Sequence, residues 1–312
     1  MYLKNTVEYL SISKYKIVLR LKESVTFFGY KGMAFRGGFS RVFKKVSCIA
    51  KKKICDTCNL KTNCVYSLLF EAKVSKKEYR RLGFTEPPRP FVLEPLADEK
   101  NVYQPDENFE FYILIFGNSI HFLPYLVLTF NELGKKGFGE TKAKCELVTI
   151  ETIDGKPIYD VQTQTFYNYD STIKLSFEEI KEVNEIKIRF ISPTRIKTEN
   201  DKKEISFQTL ISSLLRRFSG LLAFYTNKNV DWDYDEIVKE AGKVSTKFSD
   251  IKYVEVERYL TQQNKVVKLY GLVGEAIYQG EITKFYPLLK IGEFIHVGKN
   301  TTFGLGKYEI VL

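Results

Sequence analysis

The chain has 312 residues, 44% of them hydrophobic and 14% aromatic, which suits two domains of ordinary size with a substantial buried core. Charges interrupt every hydrophobic stretch and the N-terminus lacks the uninterrupted apolar core of a signal peptide, so the expected location is the cytoplasm, with no membrane span. Lysine and arginine number 48 against 38 acids, a formal net charge of +10 that permits polyanion binding without requiring it.

From the N-terminus, Tyr15, Ile17, Leu19 and Leu21 alternate with Lys16, Val18, Arg20 and Lys22, the period of a half-buried strand. A helix is predicted over Gly32–Val46, with Phe35, Phe39, Phe43 and Val46 on one stripe and Arg36, Ser40 and Lys44 on a neighbouring face. Between Ser24 and Cys55 stand Lys31, Arg36, Arg41, Lys44, Lys45, Lys51, Lys52 and Lys53, with no acid among them. Such one-signed density suits a surface facing phosphates, or else a solvated face set beside acids from elsewhere in the fold.

Next come Cys48, Cys55, Cys58 and Cys64, spaced C-x6-C-x2-C-x5-C. Four thiols so close together in a cytosolic chain argue against a disulfide framework. They fit a tetrahedral structural zinc site, or alternatively an iron–sulfur cluster, or a set of reduced, unligated cysteines in a loop. Cys145 stands apart and is expected in the core.

Further strands are predicted at Phe109–Phe116, Cys145–Glu151, Ile186–Phe190, Tyr253–Leu260, Val266–Leu272 and Gly306–Leu312. Ile205–Tyr225 reads as a helix on Leu210, Leu214, Phe218, Leu221 and Leu222, with Arg216 and Arg217 to its side, and a short helix is expected near Tyr234–Ala241.

Two stretches repeat one another. FLPYLVLTFNELGKKGFG, starting at Phe122, and FYPLLKIGEFIHVGKNTTFGLG, starting at Phe285, both open F-x-P-x-L, continue as an apolar helix and reach Gly-Lys followed by G-x-G. Proline suits a helix start and glycine its end. With strand, helix, strand, strand ahead of each copy and a strand behind it, the chain reads as β-α-β-β-α-β twice: an α+β fold of tandem ferredoxin-like (RRM-like) domains. The expected limits are 1–152, a polar linker at 153–184, and 185–312, with a cysteine-rich insertion in the first domain.

Three stretches carry a family resemblance: GMAFRGGFSRVFKKVSC with CDTCNLKTNCVYSLLFE, then GLVGEAIYQGEITKFYPLLKIGEFIHVGK, then TTFGLGKYEIV. Together they resemble the CRISPR-associated endoribonucleases of the RAMP superfamily that cut precursor CRISPR RNA within each repeat (the Cas-six family). The resemblance implies metal-independent cleavage, with the ribose 2′-hydroxyl attacking the adjacent phosphorus to leave a 2′,3′-cyclic phosphate and a 5′-hydroxyl. It also implies repeat RNA as partner, with other effector subunits a further option and a monomer or homodimer as the state. Such chemistry asks for a base near the 2′-oxygen, an acid near the leaving oxygen, and cations or amides against the developing charge.

Many relatives place a catalytic histidine on or near the first helix, and Phe28–Val46 contains none. The candidates are therefore His296 beside Lys299 on the terminal loop, or Tyr30 and Lys31 ahead of the first helix. His296 reads equally as a helix-terminal histidine bonding a free carbonyl. RNA contacts are expected from Arg36, Arg41, Lys44, Lys45, Arg216, Arg217, Arg258 and Tyr259, and from Gly298, Gly304, Gly306 and Lys307 on the glycine loop. The alternative to a nuclease is a non-catalytic RAMP subunit holding guide RNA.

Overall fold

The computed structural model describes residues 2–27, 29–51, 54–71, 86–96, 98, 100–137, 139, 141–167, 170–175, 177, 182–196, 204–228, 232–260 and 265–311. Within these, the side chains of residues 2, 4, 34–37, 257–260 and 265–267 lie outside the description. The chain divides into two compact units: a first of Ser13–Thr172 and Glu257–Val267, and a second of Met1–Ile12, Ile173–Val256 and Lys268–Leu312.

In chain order the elements are α1 (Tyr2–Val7), β1 (Ile12–Leu21), β2 (Val25–Thr26), α2 (Gly32–Ser47), β3 (Phe91–Pro95), β4 (Val102–Tyr103), β5 (Asn108–Phe116), α3 (Leu123–Lys136) and β6 (Cys145–Thr152). They continue as β7 (Pro157–Asp160), β8 (Thr165–Phe166), β9 (Glu185–Thr194), α4 (Phe207–Tyr225), α5 (Tyr234–Ala241), β10 (Ser245–Leu260), β11 (Lys265–Gln279), α6 (Tyr286–Ile295) and β12 (Tyr308–Val311).

In the first unit the sheet order is β3-β5-β1-β6-β7-β8, and β2 pairs separately with β4. β1 runs antiparallel to β6, Tyr15 opposite Thr152 and Leu21 opposite Cys145, with a register shift between Val18 and Leu19. Ile17, Val18 and Leu19 are all buried there, because the irregularity breaks strict alternation. The phenylalanine stripe of α2 packs into an aromatic core: Phe39 lies 5.3 Å from Phe130 of α3 and 5.8 Å from Phe91 of β3, and Phe111 lies 5.1 Å from Phe130. These rings are almost wholly buried, and edge and tilted contacts of this kind add to the burial term.

The second unit has the sheet order β10-β11-β9-β12, with β9 antiparallel to both neighbours. α4 starts where the Ser206 side chain accepts from the Thr209 N–H at 3.2 Å, and it buries Leu210, Leu214, Phe218 and Leu221. α6 reaches its neighbours through Gly292: a Cβ there would sit 2.0 Å from Tyr308 Oη. That hydroxyl donates to Leu289 O at 2.6 Å, so the glycine and the tyrosine together set how close the helix lies to β12.

The repeat is visible as local structure. In each copy a 3-10 turn leads into a helix with proline in its first turn, then a glycine loop, then a strand (β6, inside its sheet, or β12, at the edge) paired with the unit's first strand (β1 or β9).

The organisation differs from expectation at the boundary. β7 and β8 extend the first sheet within residues expected to be a linker, and the first unit ends at Thr172. A hairpin at a sheet edge can be mostly polar, since Ile158 and Tyr159 supply its only deeply buried side chains. The first twelve residues, expected in the N-terminal domain, belong to the second unit. β10 and β11 are also longer than predicted: β10 begins in the mostly polar stretch from Ser245, which lacks apolar alternation, and β11 runs on to Gln279 with Ala276 and Tyr278 buried against the unit's core.

Candidate nucleic-acid interface

The glycine loop begins where α6 stops. His296 caps that helix, its N–H donating to Gly292 O at 2.9 Å, with φ +61° and ψ 170°. This backbone region is nearly reserved for glycine. The imidazole is fully buried, with Nδ1 3.1 Å from Leu305 O. A carbonyl only accepts, so Nδ1 carries the proton.

Beyond it the loop folds onto the end of β9. Val297 N–H donates to Gly306 O at 2.9 Å, Lys299 N–H to Arg195 O at 2.9 Å, Gly306 N–H to Pro193 O at 3.2 Å, and Lys307 N–H to Ser192 Oγ at 2.8 Å. Gly298 and Gly306 are required by close approach, since a Cβ would meet Arg195 O at 2.4 Å and Val297 O at 1.8 Å. Gly304 and Gly306 are buried, and the Gly304 N–H donates to Thr301 O at 2.9 Å. These amides are thus spent inside the unit rather than presented to a phosphate, which corrects the expectation of a backbone cradle. Lys299 is exposed on the loop and Lys307 is half-buried.

The two arginines of α4 part company. Arg216 is exposed, whereas Arg217 is buried with its Nε donating to Ile295 O at 2.5 Å. Burial pushes the Arg217 guanidinium down to about 9, still charged at neutral pH. A cation on the last carbonyls of α6 complements that helix's dipole. Arg217 therefore braces the turn that His296 caps, and is buried where an exposed RNA contact was expected.

In the first unit, Lys31 precedes α2 and is only 5% exposed. Its ammonium pairs with the Asp98 carboxylate and lies 3.3 Å from Tyr103 Oη; burial, and then Asp98, push that phenol up to about 12. Lys31 is thus a buried ion-pair partner, contrary to a role at the RNA. Tyr30 is half-buried. Of the basic helix, Arg41 and Lys45 are exposed, Lys45 with Glu132 at 3.7 Å, and Lys44 Nζ sits 5.1 Å over the Tyr66 ring. The side chains of Arg36, Arg258 and Tyr259 lie outside the described residues. Cys48, Cys55, Cys58 and Cys64 are half-buried, free, and line one small cavity. Cys145 sits in the core, its thiol pushed up to about 12 by burial.

Residues 188–308 match the family model of the CRISPR-associated endoribonuclease Cas6, and residues 10–171 match AF_1859_N, an N-terminal domain. The AF_1859_N match spans about half of the chain, and the similarity to Cas6 lies in its C-terminal part. A relative from Archaeoglobus fulgidus, described as an uncharacterized protein, is 29% identical over 285 residues, 90% of this chain and 91% of its own length. Among solved structures, a Cas6 product complex is similar with a TM-score of 0.59 at 14% identity, over 96% of this chain and 99% of that one. Thermus thermophilus Cas6 gives a TM-score of 0.55 at 14% identity, over 97% and 99%. A chain of a partial Cas6-RT-Cas1–Cas2 complex gives 0.57 at 12% identity, over 97% of this chain and 46% of that one. At such identities the likeness is one of fold, mixed α/β with antiparallel sheets.

One surface feature of this chain is not flagged by its sequence. Tyr253 of β10 and Tyr270 of β11 are 56% and 39% exposed and stack at 5.3 Å with 18° between ring planes. Lys252 and Lys268 flank them and are exposed. Both tyrosines stood inside predicted strands. The signal that marks them is two aromatics on facing strands of one hairpin, each beside a lysine.

Proposed function

We propose that the chain binds CRISPR repeat RNA and cuts precursor crRNA in the cytoplasm, as two tandem ferredoxin-like domains with a cysteine-rich insertion in the first. The match of residues 188–308 to Cas6 carries this reading. In it the 2′-oxygen forms a bond to phosphorus while the bond to the 5′-oxygen breaks. A proton leaves the 2′-hydroxyl, another reaches the departing oxygen, and no metal ion takes part. Lys299, exposed on the glycine loop, supplies positive charge against the phosphorane. His296 is a positioning residue that holds Leu305 and the glycine loop, and Tyr253 with Tyr270 offers a platform on which an unpaired base stacks. The guide RNA is then available to other effector subunits.

The burial of His296 and the pairing of Lys31 favour a second reading, a non-catalytic RAMP subunit that holds guide RNA. The two separate on labelled repeat RNA in excess chelator, beside RNA with a 2′-deoxy substitution at the scissile nucleotide. Product from the first alone supports the nuclease; tight binding with both RNAs intact supports the scaffold; neither binding nor cleavage sinks both. In either reading Tyr253→Ala weakens RNA binding about tenfold, the loss of one stacked base. Lys299→Ala lowers the slope of log affinity against log salt by about 0.7. Unchanged titrations for both variants would remove hairpin and loop from the interface.

A further inference from the structure

We propose that Cys48, Cys55, Cys58 and Cys64 bind one zinc ion, which fastens the C-terminal end of α2 to the segment leading into Ser67–Glu71. Local backbone structure presents each thiol. Cys48 is the C-cap of α2, its N–H donating to Lys44 O at 2.9 Å. Cys55 and Cys58 bracket a turn closed by Cys58 N–H to Cys55 O at 3.1 Å. A 3-10 turn over Lys61–Asn63 then delivers Cys64, whose carbonyl accepts from Leu68 N–H at 2.9 Å.

From Cys48 to Tyr66 no described residue is buried, and three of its aliphatic side chains are exposed: Ile49 by 87%, Ile54 by 65% and Leu60 by 50%. A stretch of irregular chain this long has no apolar burial to offset its conformational entropy, the circumstance in which small folds use a metal or a disulfide as a staple. Its four cysteines are all free and all half-buried, and they line a single cavity with Lys61 and Tyr66.

That cavity holds about 10 Å³, roughly one water-sized probe. Four thiolates in tetrahedral array, with no ligand position left for substrate, are the donor set of structural zinc. A divalent ion with four thiolates carries net negative charge, and two cations lie beside the cavity: Lys61 on its wall, paired with Asp56, and Lys44 over the Tyr66 ring. As placed, no three His, Cys, Asp or Glu side chains among the described residues are close enough to hold a metal. Binding therefore draws the thiols inward and contributes directly to the folding of this segment. Phe70, which packs on Phe43 at 5.3 Å, passes that order to the aromatic core.

The test uses the full chain purified under reducing conditions without chelator. Elemental analysis is expected to find about one zinc per chain. A strong chelator should lower the melting temperature and open four cysteines to alkylation in the native protein, with Cys145 staying protected. Cobalt in place of zinc should show the visible bands of a tetrahedral thiolate site. The Cys55→Ser, Cys58→Ser double variant should lose the metal; if it does not fold, the labelling of the unmodified chain still decides. No metal, chelator-independent melting and four thiols reactive from the outset would overturn the site. Iron with inorganic sulfide would overturn zinc in favour of a cluster. None of these readouts involves RNA, so the outcome is independent of the proposed cleavage.

Discussion

The two glycine loops solve one problem with different residues. α3 ends at Gly137 with φ +83° and ψ 148°, and α6 ends at His296 with φ +61° and ψ 170°. The two caps occupy the same neighbourhood of backbone space, where glycine is at ease and a side chain is strained. In the first copy the glycine is also a spatial necessity, since a Cβ on Gly137 would lie 1.8 Å from Lys142 O. In the second copy the collision has moved along the loop to Gly306, and the cap position carries a buried imidazole bonded to Leu305 O. The longer loop exchanged a relaxed cap for a side chain that holds its far end. The comparison makes His296 a fastener by geometry.

The sharpest way to break this comparison is to add single methyl groups. Gly137→Ala and Gly306→Ala each place a Cβ 1.8 Å from a backbone oxygen, so each is expected to cost more than about 3 kcal/mol of stability. Gly155 also has positive φ, at +81°, but nothing lies within 4 Å of its missing Cβ, so Gly155→Ala should cost only about 1 kcal/mol. Urea melts of the three variants measure this directly. Equal costs at Gly306 and Gly155 would mean that conformation alone, without close approach, accounts for the loop's glycines.

Much of this was legible in the sequence because it is periodic or punctuated. The stripe of Phe39 and Phe43, the prolines that open α3 and α6, and the paired G-x-G loops all announce local structure. What was not legible concerns which way a polar side chain turns. Arg216 and Arg217 are neighbours in sequence, yet a helix separates adjacent positions by about 100°, so one meets solvent and the other the end of α6. Lys31 was read as part of an acid-free basic run, and its acid came from Asp98, far along the chain. Charge density along a sequence says nothing of partners brought in by folding. The polar hairpin of β7 and β8 escaped for a related reason, because edge strands need little apolar content.

A second group of variants tests the cap itself. His296→Ala keeps the strained backbone while losing the ring's packing and its bond to Leu305 O, and should cost about 2–3 kcal/mol. His296→Gly loses the same contacts but relieves the strain, so it should be more stable than the alanine variant by about 1 kcal/mol. That order reverses the usual penalty for glycine and imports the solution used at Gly137. Where cleavage occurs, loss of activity in both variants should follow loss of loop order, with the shape of the pH–rate profile preserved. A stable alanine variant that cleaves about 10²-fold more slowly, with an altered pH profile, would restore His296 to proton transfer.

The smallest effect compares how each unit ties its helices on the outside. Glu132 of α3 meets Lys135 at 2.7 Å and Lys45 of α2 at 3.7 Å, and these lysines, Lys135 foremost, lower its carboxyl. Glu240 of α5 meets Lys243 at 2.5 Å and Lys284, just ahead of α6, at 2.7 Å; the two lysines hold its carboxyl down to about 2, against 4.5 for a free glutamate. A depressed folded-state value means that the stabilisation is present above about 4.5 and is lost as the pH falls toward about 2. Both acids are half-exposed and screened, so Glu240→Gln should move the melting temperature by about a degree near neutral pH. Its signature is instead the acid limb: the variant should lose part of the decline in melting temperature between about pH 4.5 and 2, and high salt should reduce the difference. An acid limb superimposable on that of the parent chain would mean that Glu240 and its lysines are neighbours without consequence, leaving the buried bond from Arg217 to Ile295 O as the electrostatic tie on α6.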